Sequence, residues 1–474
     1  MHTGFRFRCH PNAQQAQTLL RWVGCQRFIY NAKVQEDRYF RTFARKSLQH
    51  TGQYAPQDQQ YSHFITEATP WLREVPSQVL RNGAYRWTQA YSRYYKKLAA
   101  RPRLHKKSGA QSVWLTSELL EFQMRVLESG QVAYRLMLGT RKCPIGEIRY
   151  KAQQAHAVPA SITLTIEAGR WFVSFSQDDG TPLPSVQETA DWLSGFGREE
   201  LLARTVGLDR GVAVPLMSSS GPAFDLLQVQ RERIDKKQAA ARRWQRRLAR
   251  RTKGSRNRTK AARRIAALRQ YEKDVRRDFA HQASHALVAE PQTLLLVFEA
   301  LGVQRMSRRP KAKKDENGRW ARNGARAKAG LSRGILASAW GQLRGYATYK
   351  AQRAGKLVIE VPAHHTSQAC SRCGHTHPDN RRSQAEFVCQ DCGFQCNADL
   401  NASENIRQRG VAFILSGQYR EKEKKRVMRG RKKTVGADGS ECTLGEMRVS
   451  RSAGNSPALQ SANQETPTST ALGG

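Results

Sequence analysis

Four cysteines and one aspartate carry the strongest chemical signal in the sequence. Cys370 and Cys373 form one C-x-x-C pair, and Cys389 and Cys392 form a second pair a short distance along the chain. Two such pairs supply the four thiolates of a structural zinc ribbon, because four thiolates complete the tetrahedral shell of Zn²⁺ and leave no open position. Asp399 follows closely, in the segment D-L-N-A-S-E-N-I at the start of a predicted helix. We therefore expect one structural zinc ion at these cysteines and a separate role for Asp399.

The other five cysteines are scattered along the chain, as Cys9, Cys25, Cys143, Cys396 and Cys442. Paired knuckles indicate zinc rather than disulfides in a protein of the reducing cytosol. Cys396 is close enough in sequence to be a spare zinc ligand. The alternative, which we favour, is a small buried apolar side chain.

Two further acids, like Asp399, are associated with predicted secondary-structure elements. Asp209 lies in a predicted strand over residues 204–217, and Glu299 ends the apolar run T-L-L-L-V-F-E. An Asp in G-L-D-R-G can also cap a turn, and Glu299 can also be an ordinary strand end. Taken together, the three acids fit an RNase H-like α/β domain, in which carboxylates from separate elements converge at one end of a sheet. Such carboxylates hold two Mg²⁺ ions about 4 Å apart for phosphodiester hydrolysis.

The charge of the chain points to a polyanionic partner. The formal net charge is +41 over 474 residues, so the chain repels itself strongly unless it binds a polyanion. Nucleic acid is the first choice; an anionic membrane surface fits less well, because the charge is spread along helical segments and no lipidation motif occurs. The sequence has no apolar run of transmembrane length and its first residues lack a signal-peptide core. We expect a cytoplasmic protein of several domains, associated with the nucleoid when bound to DNA.

The first 178 residues are predicted to form a small β-barrel interrupted by helices. Residues 4–10 alternate as a strand, and a helix begins near Ala13 with Asn12 as its cap. A second helix is predicted over residues 77–98, where aromatic side chains either stack on bases or, as we favour, form helix core. Further strands are predicted at residues 112–115, 132–138, 147–150, 161–167 and 170–176, with a hairpin turn at Ala168-Gly169.

The remaining segments alternate between apolar strands and basic helices. Residues 179–203 are predicted to be a linker, and a strand over 224–229 is predicted to pair with the strand of Asp209. Residues 231–277 hold 20 Lys/Arg against 4 Asp/Glu and predict a basic helical hairpin; the alternative is a solvated face, but the excess of positive charge favours phosphate contact. A basic loop (305–328), a helix (335–353), a strand (356–361) and a disordered tail (418–474) complete the prediction.

These segments resemble the TnpB (OrfB) family of bacterial insertion sequences, which is related to the miniature type V CRISPR effectors. The resemblance is carried most specifically by V-G-L-D-R-G-V (206–212), L-V-F-E-A-L (296–301), T-S-Q-A-C-S-R-C-G and D-L-N-A-S-E-N-I. Looser matches occur in F-R-F-R-C-H-P, G-C-Q-R-F-I-Y-N (24–31), V-P-S-Q-V-L (75–80) and R-D-F-A-H-Q-A-S (277–284). Ala300 departs from the family, which often has an acidic or polar residue after the glutamate.

The resemblance implies a RuvC-like, Mg²⁺-dependent nuclease that uses a guide RNA transcribed from the element's own end. Its targets would be double-stranded DNA beside a short motif that the protein reads, while RNA pairing reads the rest. By motif position, Asp209, Glu299 and Asp399 would be the catalytic acids. The implied fold is a multidomain α+β protein, with these parts: a wedge-like barrel (1–11 and 101–178), a helical recognition domain (12–100), a RuvC-like domain (204–363 and 394–417) and an inserted zinc ribbon (364–393).

Two other functions remain open from the sequence. Related proteins can lose their acids and act as guided DNA-binding repressors, although all three acids are present here. A transposase acting in its own right is the third possibility, but no Tyr or Ser recombinase arrangement supports it. The sequence does not specify the guide, the flanking motif, the cut positions or the oligomeric state.

Overall fold

Two β-sheets, each covered by helices, carry most of the chain. The structure is a computed structural model that describes residues 2–51, 59–126, 132–178, 180–383 and 385–419. The first sheet has seven strands and the second has five. The expected mixture of α and β structure is therefore confirmed. The predicted tail lies outside the described residues from residue 420 onward.

Neighbouring strands of the seven-stranded sheet are antiparallel, and their order is β2-β6-β7-β1-β5-β4-β3. Its strands are β1 (His2–His10), β2 (Gln111–Thr116), β3 (Leu120–Val126), β4 (Val132–Gly139), β5 (Pro144–Tyr150), β6 (Ser161–Glu167) and β7 (Arg170–Asp178). The two edge strands, β2 and β3, are consecutive in the chain and are joined by the single 3₁₀ turn Ser117–Leu119. The sheet must therefore curve until these edges approach each other at that turn. All predicted strands of this region are present, and β3 is an additional one.

Local sequence signals explain the ends of several elements in this half. Asn12 and Gln15 cap helix α1 (Ala13–Thr51) reciprocally: the Gln15 amide donates to Asn12 Oδ1 at 2.9 Å, and the Asn12 amide donates to Gln15 Oε1 at 2.9 Å. Ala168 and Gly169 both have positive φ, 49° and 81°, as a two-residue hairpin turn requires. Both predictions are confirmed.

Helix α1 packs with α2 (Ser77–Tyr95) against the curved sheet. Leu19, Trp22 and Leu80 are buried in the same apolar core as strand residues such as Val113. The aromatic residues of α2 divide between two environments: Trp87 and Tyr91 are buried, whereas Tyr85 and Tyr95 are exposed. The core interpretation of this helix is thus confirmed for its most buried rings.

Residues 179–203 are not a simple linker, and that prediction is wrong. The segment contains helices α3 (Val186–Leu193) and α4 (Arg198–Ala203). Ser185 and Glu188 cap α3 reciprocally, which is a start signal that the Gly, Pro and acidic residues around it obscured. Ala190, Leu193 and Leu201 of these helices are buried in the same apolar core as strand residues of the second sheet, so the segment is part of that core.

The second half of the chain builds the five-stranded sheet, in the order β10-β9-β8-β11-β14. In chain order its elements are β8 (Thr205–Asp209), β9 (Leu216–Ser218), β10 (Ala223–Phe224), α5 (Gln228–Ala249), α6 (Arg256–Ala289), β11 (Leu295–Glu299), α7 (Val303–Met306), β12 (Lys313–Lys314), β13 (Trp320–Ala321), α8 (Ala325–Ala337), α9 (Trp340–Arg353), β14 (Leu357–Val361), β15 (Glu386–Val388), β16 (Gln395–Asn397) and α10 (Ala398–Leu415). Strands β8, β11 and β14 are parallel, and β9 and β10 are antiparallel additions.

Three predictions for this half need correction. The strand predicted over 204–217 turns after β8, and its end returns as β9. The strand predicted over 224–229 ends at Phe224, because Gln228 already begins α5; it pairs, as predicted, with the 204–217 segment, at Leu216 and Met217. The helix predicted over 335–353 is interrupted at Ala339, whose φ of 55° is left-handed. The basic helical hairpin, α5 with α6, is confirmed.

Strand β11 is buried on both faces and forms the centre of this half. Leu295 and Val297 belong to the core on the side of α10, while Leu296 and Phe298 belong to the core on the side of α6 and α9. A continuous apolar run is the expected pattern for a parallel strand covered by helices on both sides. A Cβ atom on Gly207 of β8 would overlap the main chain of α10, so this glycine allows the helix to lie close to the sheet.

No helix in the described ranges is both long enough and apolar enough to cross a membrane.

Candidate active site

The structure brings Asp209 and Glu299 to the same edge of the five-stranded sheet. Leu208 pairs with Phe298 in the parallel register of β8 and β11, so the two acids that follow lie at the same level. Each acid is the last residue of its strand. Because the carboxyl ends of parallel strands share one edge, the side chains leave neighbouring strands at one place.

Asp399 reaches this edge from the first turn of α10. The side chain of Asn397 caps the helix by accepting hydrogen bonds from the amides of Asp399, at 2.9 Å, and Leu400, at 3.2 Å. Helix α10 packs on β8, which ends in Asp209. Asp399 is buried, with 9% of its surface exposed.

Electrostatics show that the three acids share one environment. Burial raises the pKa of Asp209 to about 7, and the negative charges of Glu299 and Asp399 add to the increase. Burial also raises the pKa of Glu299, although Thr366 donates a hydrogen bond to its carboxylate and opposes that increase. Buried carboxylates that repel one another are a donor set suited to a hard cation with oxygen ligands.

The acids are less tightly gathered than the ribbon cysteines. Among the described residues, the four cysteines form the one group of three or more Cys, His, Asp or Glu whose ligand atoms all lie within 4.8 Å of one another. Asp209, Glu299 and Asp399 are the residues of this edge that could hold a metal ion, through carboxylate oxygens.

Two arginines at this edge were not anticipated from the sequence. Arg381, from the zinc-ribbon segment, lies 3.0 Å from Asp399 Oδ1. Its positive charge opposes the increase in the pKa of both Asp209 and Glu299. Arg210 donates to the main-chain carbonyl of Glu299. Arg210 follows Asp209 directly, so its nearness could have been noted from the sequence. Arg381 has no such signal, because only the fold places the ribbon beside the sheet.

Arg210 is held from its other side by a second ion pair. Its side chain is 3% exposed and lies 3.7 Å from Glu360 of β14, which also pairs with Arg344 of α9. The guanidinium also lies over the Phe298 ring, 5.6 Å from its centroid. Arg210 thereby ties the ends of β8, β11 and β14 together just behind the acids.

The four predicted zinc ligands are brought together as expected. Cys370 and Cys392 have sulfur atoms 3.7 Å apart, and Cys373 and Cys389 have sulfur atoms 3.6 Å apart. Four thiolates around a tetrahedral Zn²⁺ at about 2.3 Å would have sulfur separations of about 3.8 Å, so the cysteines fit the ion. Cys396 is outside this group and packs, partly buried, with Phe387 and Phe394. The apolar interpretation of Cys396 agrees with this position.

The ribbon is fastened to α10 through buried amide side chains. Asn401 accepts from the Ser371 amide at 3.0 Å and donates to the Ala369 carbonyl at 2.8 Å. Asn405 donates to the carbonyls of Thr366, at 2.9 Å, and Ala369, at 2.7 Å. Since Thr366 also bonds Glu299, the polar residues of D-L-N-A-S-E-N-I join the ribbon, the helix of Asp399 and the strand of Glu299.

The raised pKa of Asp209 predicts a pH-dependent cost to the metal-free protein. The folded state retains a proton on Asp209 up to about pH 7, whereas the unfolded state loses it near pH 4. The free energy of unfolding should therefore fall by up to about 1.4 kcal/mol per pH unit between those values because of this group. Asp209→Asn should remove that dependence and stabilise the metal-free protein at pH 8. Urea unfolding at pH 5 and pH 8, with and without Mg²⁺, measures the free energy of unfolding of both proteins. A variant that is less stable than the wild type by the same amount at both pH values would contradict the prediction.

Comparison with known proteins gives matches along most of the chain. Family models match residues 1–38 ("Helix-turn-helix domain"), 199–309 (the OrfB family of IS605, "Probable transposase") and 340–406 ("Cas12f1-like, TNB domain"). In this chain the first match covers β1 and about the first two thirds of α1, a strand followed by one long helix.

Two curated relatives each match 87% of this chain. "Putative RNA-guided DNA endonuclease InsQ" of Escherichia coli (strain K12) is 30% identical over 87% of this chain and 94% of its own length. A "Putative RNA-guided DNA endonuclease" of Streptomyces pristinaespiralis is 29% identical over 87% of this chain and 90% of its own. A solved structure titled "Cryo-EM structure of the Cas12f1-sgRNA-target DNA complex" covers 86% of this chain and 98% of its own at 11% identity and a TM-score of 0.47, a similarity too remote to carry an argument.

Proposed function

The chain belongs to the TnpB (OrfB) family of insertion sequences, and we propose that it is an RNA-guided endonuclease that cleaves double-stranded DNA beside a short flanking motif. The observation that carries the proposal is the convergence of Asp209, Glu299 and Asp399 at one edge of the five-stranded sheet. Curated relatives with the same overall extent are named for this activity.

Asp209, Glu299 and Asp399 would hold catalytic Mg²⁺. The chemistry that such ions would supply is an activated water for hydrolysis of the phosphodiester and positive charge beside the leaving oxygen. The chain's own contribution is to fix the acids. Thr366 orients the Glu299 carboxylate, Arg210 holds the backbone behind it, and Asn397 sets the first turn that presents Asp399.

Arg381 is suited to a second task at this edge. Its guanidinium balances the carboxylates through the ion pair with Asp399. When metal ions neutralise the acids, the same guanidinium is placed to contact a phosphate oxygen of the substrate, because it prefers an anion that it can bind with two N–H groups. The ribbon would then serve the site as well as the fold.

The sheet topologies support the finer fold assignment. In the five-stranded sheet, an antiparallel pair of strands extends from β8, and two parallel strands follow on the other side, as in an RNase H-like (RuvC) domain. The curved seven-stranded sheet, whose edges meet at one turn, supports a barrel of the wedge type, with α1 and α2 as the recognition helices. The proposed domain boundaries remain those given from the sequence, except that 179–203 joins the core of the nuclease domain.

The partners follow from charge and family. The guide RNA and the double-stranded DNA target supply the polyanions that a chain of net charge +41 needs, and the basic hairpin of α5 and α6 offers them an extended positive surface. The protein would act in the cytoplasm, at the nucleoid.

Purification of the protein from cells that express its native genomic neighbourhood tests the proposal. We expect one abundant RNA with a constant scaffold and a variable 3′ end to copurify, and we expect that complex to cut matching DNA when Mg²⁺ is present. A heterogeneous RNA population that high salt removes would contradict the guided function. A specific RNA complex that binds DNA but never nicks it would instead indicate a guided repressor.

A further inference from the structure

A small pocket with two guanidinium groups lies where the helices meet the curved sheet, on elements separate from those of the acidic edge. Helices α1 and α2, strand β2 and the loop before β2 form it. It is lined by Val23, Gln26, Arg27, Tyr30, Arg86, His105, Ala110, Gln111 and Ser112. The lining includes two arginines and no carboxylate, which favours an anion as the ligand.

Arg86 carries a charge that the described chain does not balance with an acid. Burial lowers the pKa of its guanidinium, and the one opposing influence is the nearby phenol of Tyr30. Its hydrogen bonds go to two neutral acceptors, Gln26 Oε1 at 3.3 Å and Ser112 Oγ at 3.4 Å. Among the described residues no Asp or Glu forms an ion pair with it. Arg86 is partly buried, and a partly desolvated cation is more stable when it has a charged partner.

A second arginine brings its charge to the same pocket. Arg27 donates to Gln111 Oε1, and among the described residues it too has no ion pair with an acid. Burial lowers the pKa of His105, and the charges of Arg86 and Arg27 lower it further, so both guanidinium groups lie near the His105 ring. Two cations close together in a partly desolvated pocket repel each other until an anion lies between them.

The loop that closes the pocket is held in place in advance. Asn31 bonds both main-chain groups of His105, at 2.9 and 2.7 Å, and the His105 ring stacks on Tyr30 at 4.1 Å. The Gln111 amide donates to the carbonyls of Lys107, at 2.7 Å, and Gly109, at 3.1 Å. The neutral side chains therefore shape the pocket and accept one or two hydrogen bonds from each guanidinium, while the positive charge of the two arginines is not offset by an acid.

We propose that the pocket of Arg27 and Arg86 binds one phosphate group of a nucleic-acid backbone. A guanidinium fork matches the tetrahedral oxygens of a phosphate, and a single phosphodiester supplies the missing negative charge. The inference rests on the proposed function for the identity of the polyanion, and it adds an anchoring point that is separate from the cleavage site. The backbone is that of the guide RNA or that of the target DNA, which the experiment separates.

The first test uses Arg86→Met, for which an anion-binding role and a structural role predict different changes in Tm. Gln26 Oε1 keeps its hydrogen bond from the Trp114 amide, at 2.8 Å, so the substitution leaves that buried acceptor satisfied. If Arg86 serves an anion, the nucleic-acid-free variant should have an equal or higher Tm than the wild type. The same variant should bind nucleic acid roughly tenfold more weakly at physiological salt. A structural arginine predicts a lower Tm instead, and a fall in Tm without a loss of affinity would overturn the proposal.

The second test uses Arg27→Gln, at the rim of the pocket, with Arg198→Gln as a matched control at an exposed position of α4. The copurifying RNA is titrated against free protein, and a target duplex is titrated against the RNA-loaded complex, each over a series of salt concentrations. A lost phosphate contact lowers the slope of log K against log salt by about 0.7 to 0.9. A lower slope in the RNA arm alone assigns the phosphate to the guide, and one in the DNA arm alone assigns it to the target.

Inorganic phosphate gives a readout that does not depend on guided cleavage. Phosphate should raise the Tm of the nucleic-acid-free wild type more than chloride does at equal ionic strength, and both pocket variants should lose that difference while Arg198→Gln keeps it. Unchanged salt slopes in both arms, with an unchanged phosphate response, would overturn the phosphate site even if the wild type cuts DNA. A wild-type complex that does not cut matching DNA would overturn the proposed function, but the effect of phosphate on the Tm would still support the phosphate site.

Discussion

Asp209→Ala is expected to lower the rate of DNA cleavage by at least about three orders of magnitude, while the affinity for guide RNA and target DNA stays within a factor of about two. Asp209 ends a central strand next to Glu299, and its carboxylate is the one most strongly affected by its acidic neighbours. In the proposed site its loss would remove one of the carboxylates that hold Mg²⁺, and it would leave the surfaces that bind nucleic acid away from the site unchanged. Single-turnover cleavage and a binding titration on the same complex measure the two effects separately.

The matched control for that experiment is Glu199→Gln, an exposed acid in the first turn of α4. It removes the same charge from the same domain, and its cleavage rate should equal that of the wild type. Asp209→Ala protein that still cuts at a rate near the wild type would remove Asp209 from the catalytic assignment. Equal loss of cleavage and of binding would show a folding defect, which the Tm of the variant would reveal.

Loss of zinc is expected to have the second largest effect. Cys389→Ser should abolish tight zinc binding, and the free energy that the metal contributes to the ribbon, on the order of 10 kcal/mol, is then lost. Without the ribbon, Asn401 and Asn405 lose their partners, and the helix of Asp399 and the Thr366 contact to Glu299 are no longer supported. Cleavage should fall at least roughly tenfold through loss of positioning, although zinc itself touches no substrate.

Cys396→Ser is the control, because this cysteine lies in the same ribbon but outside the group of four thiols. It should keep one zinc per chain and retain most of the cleavage activity. Zinc content by mass spectrometry, proteolysis at residues 364–400 and the cleavage rate should change together in Cys389→Ser. Cleavage that is unchanged after verified zinc removal would refute the link between the ribbon and the acids.

Elements with a strong local signal were predictable from the sequence. The helix cap Asn12, the Ala168-Gly169 turn and the apolar run of β11 each specify local backbone within a few residues, and each is found as expected. Predictions failed where the local signal was short or mixed. Residues 179–203 hold two helices of a few turns at most, whose buried side chains decide their structure only through contact with the second sheet.

The sequence by itself determined the zinc ribbon, because two C-x-x-C pairs are local devices that need only a short loop to meet. It also indicated the three acids as a set, through their positions at the ends of elements. Only the tertiary structure decided that these acids meet, since the parallel register of β8 with β11 and the packing of α10 join residues about a hundred positions apart. The same holds for Arg381 beside Asp399 and for Arg86 beside Arg27: a charge's partners, or its lack of them, depend on distances through space, which sequence spacing does not encode.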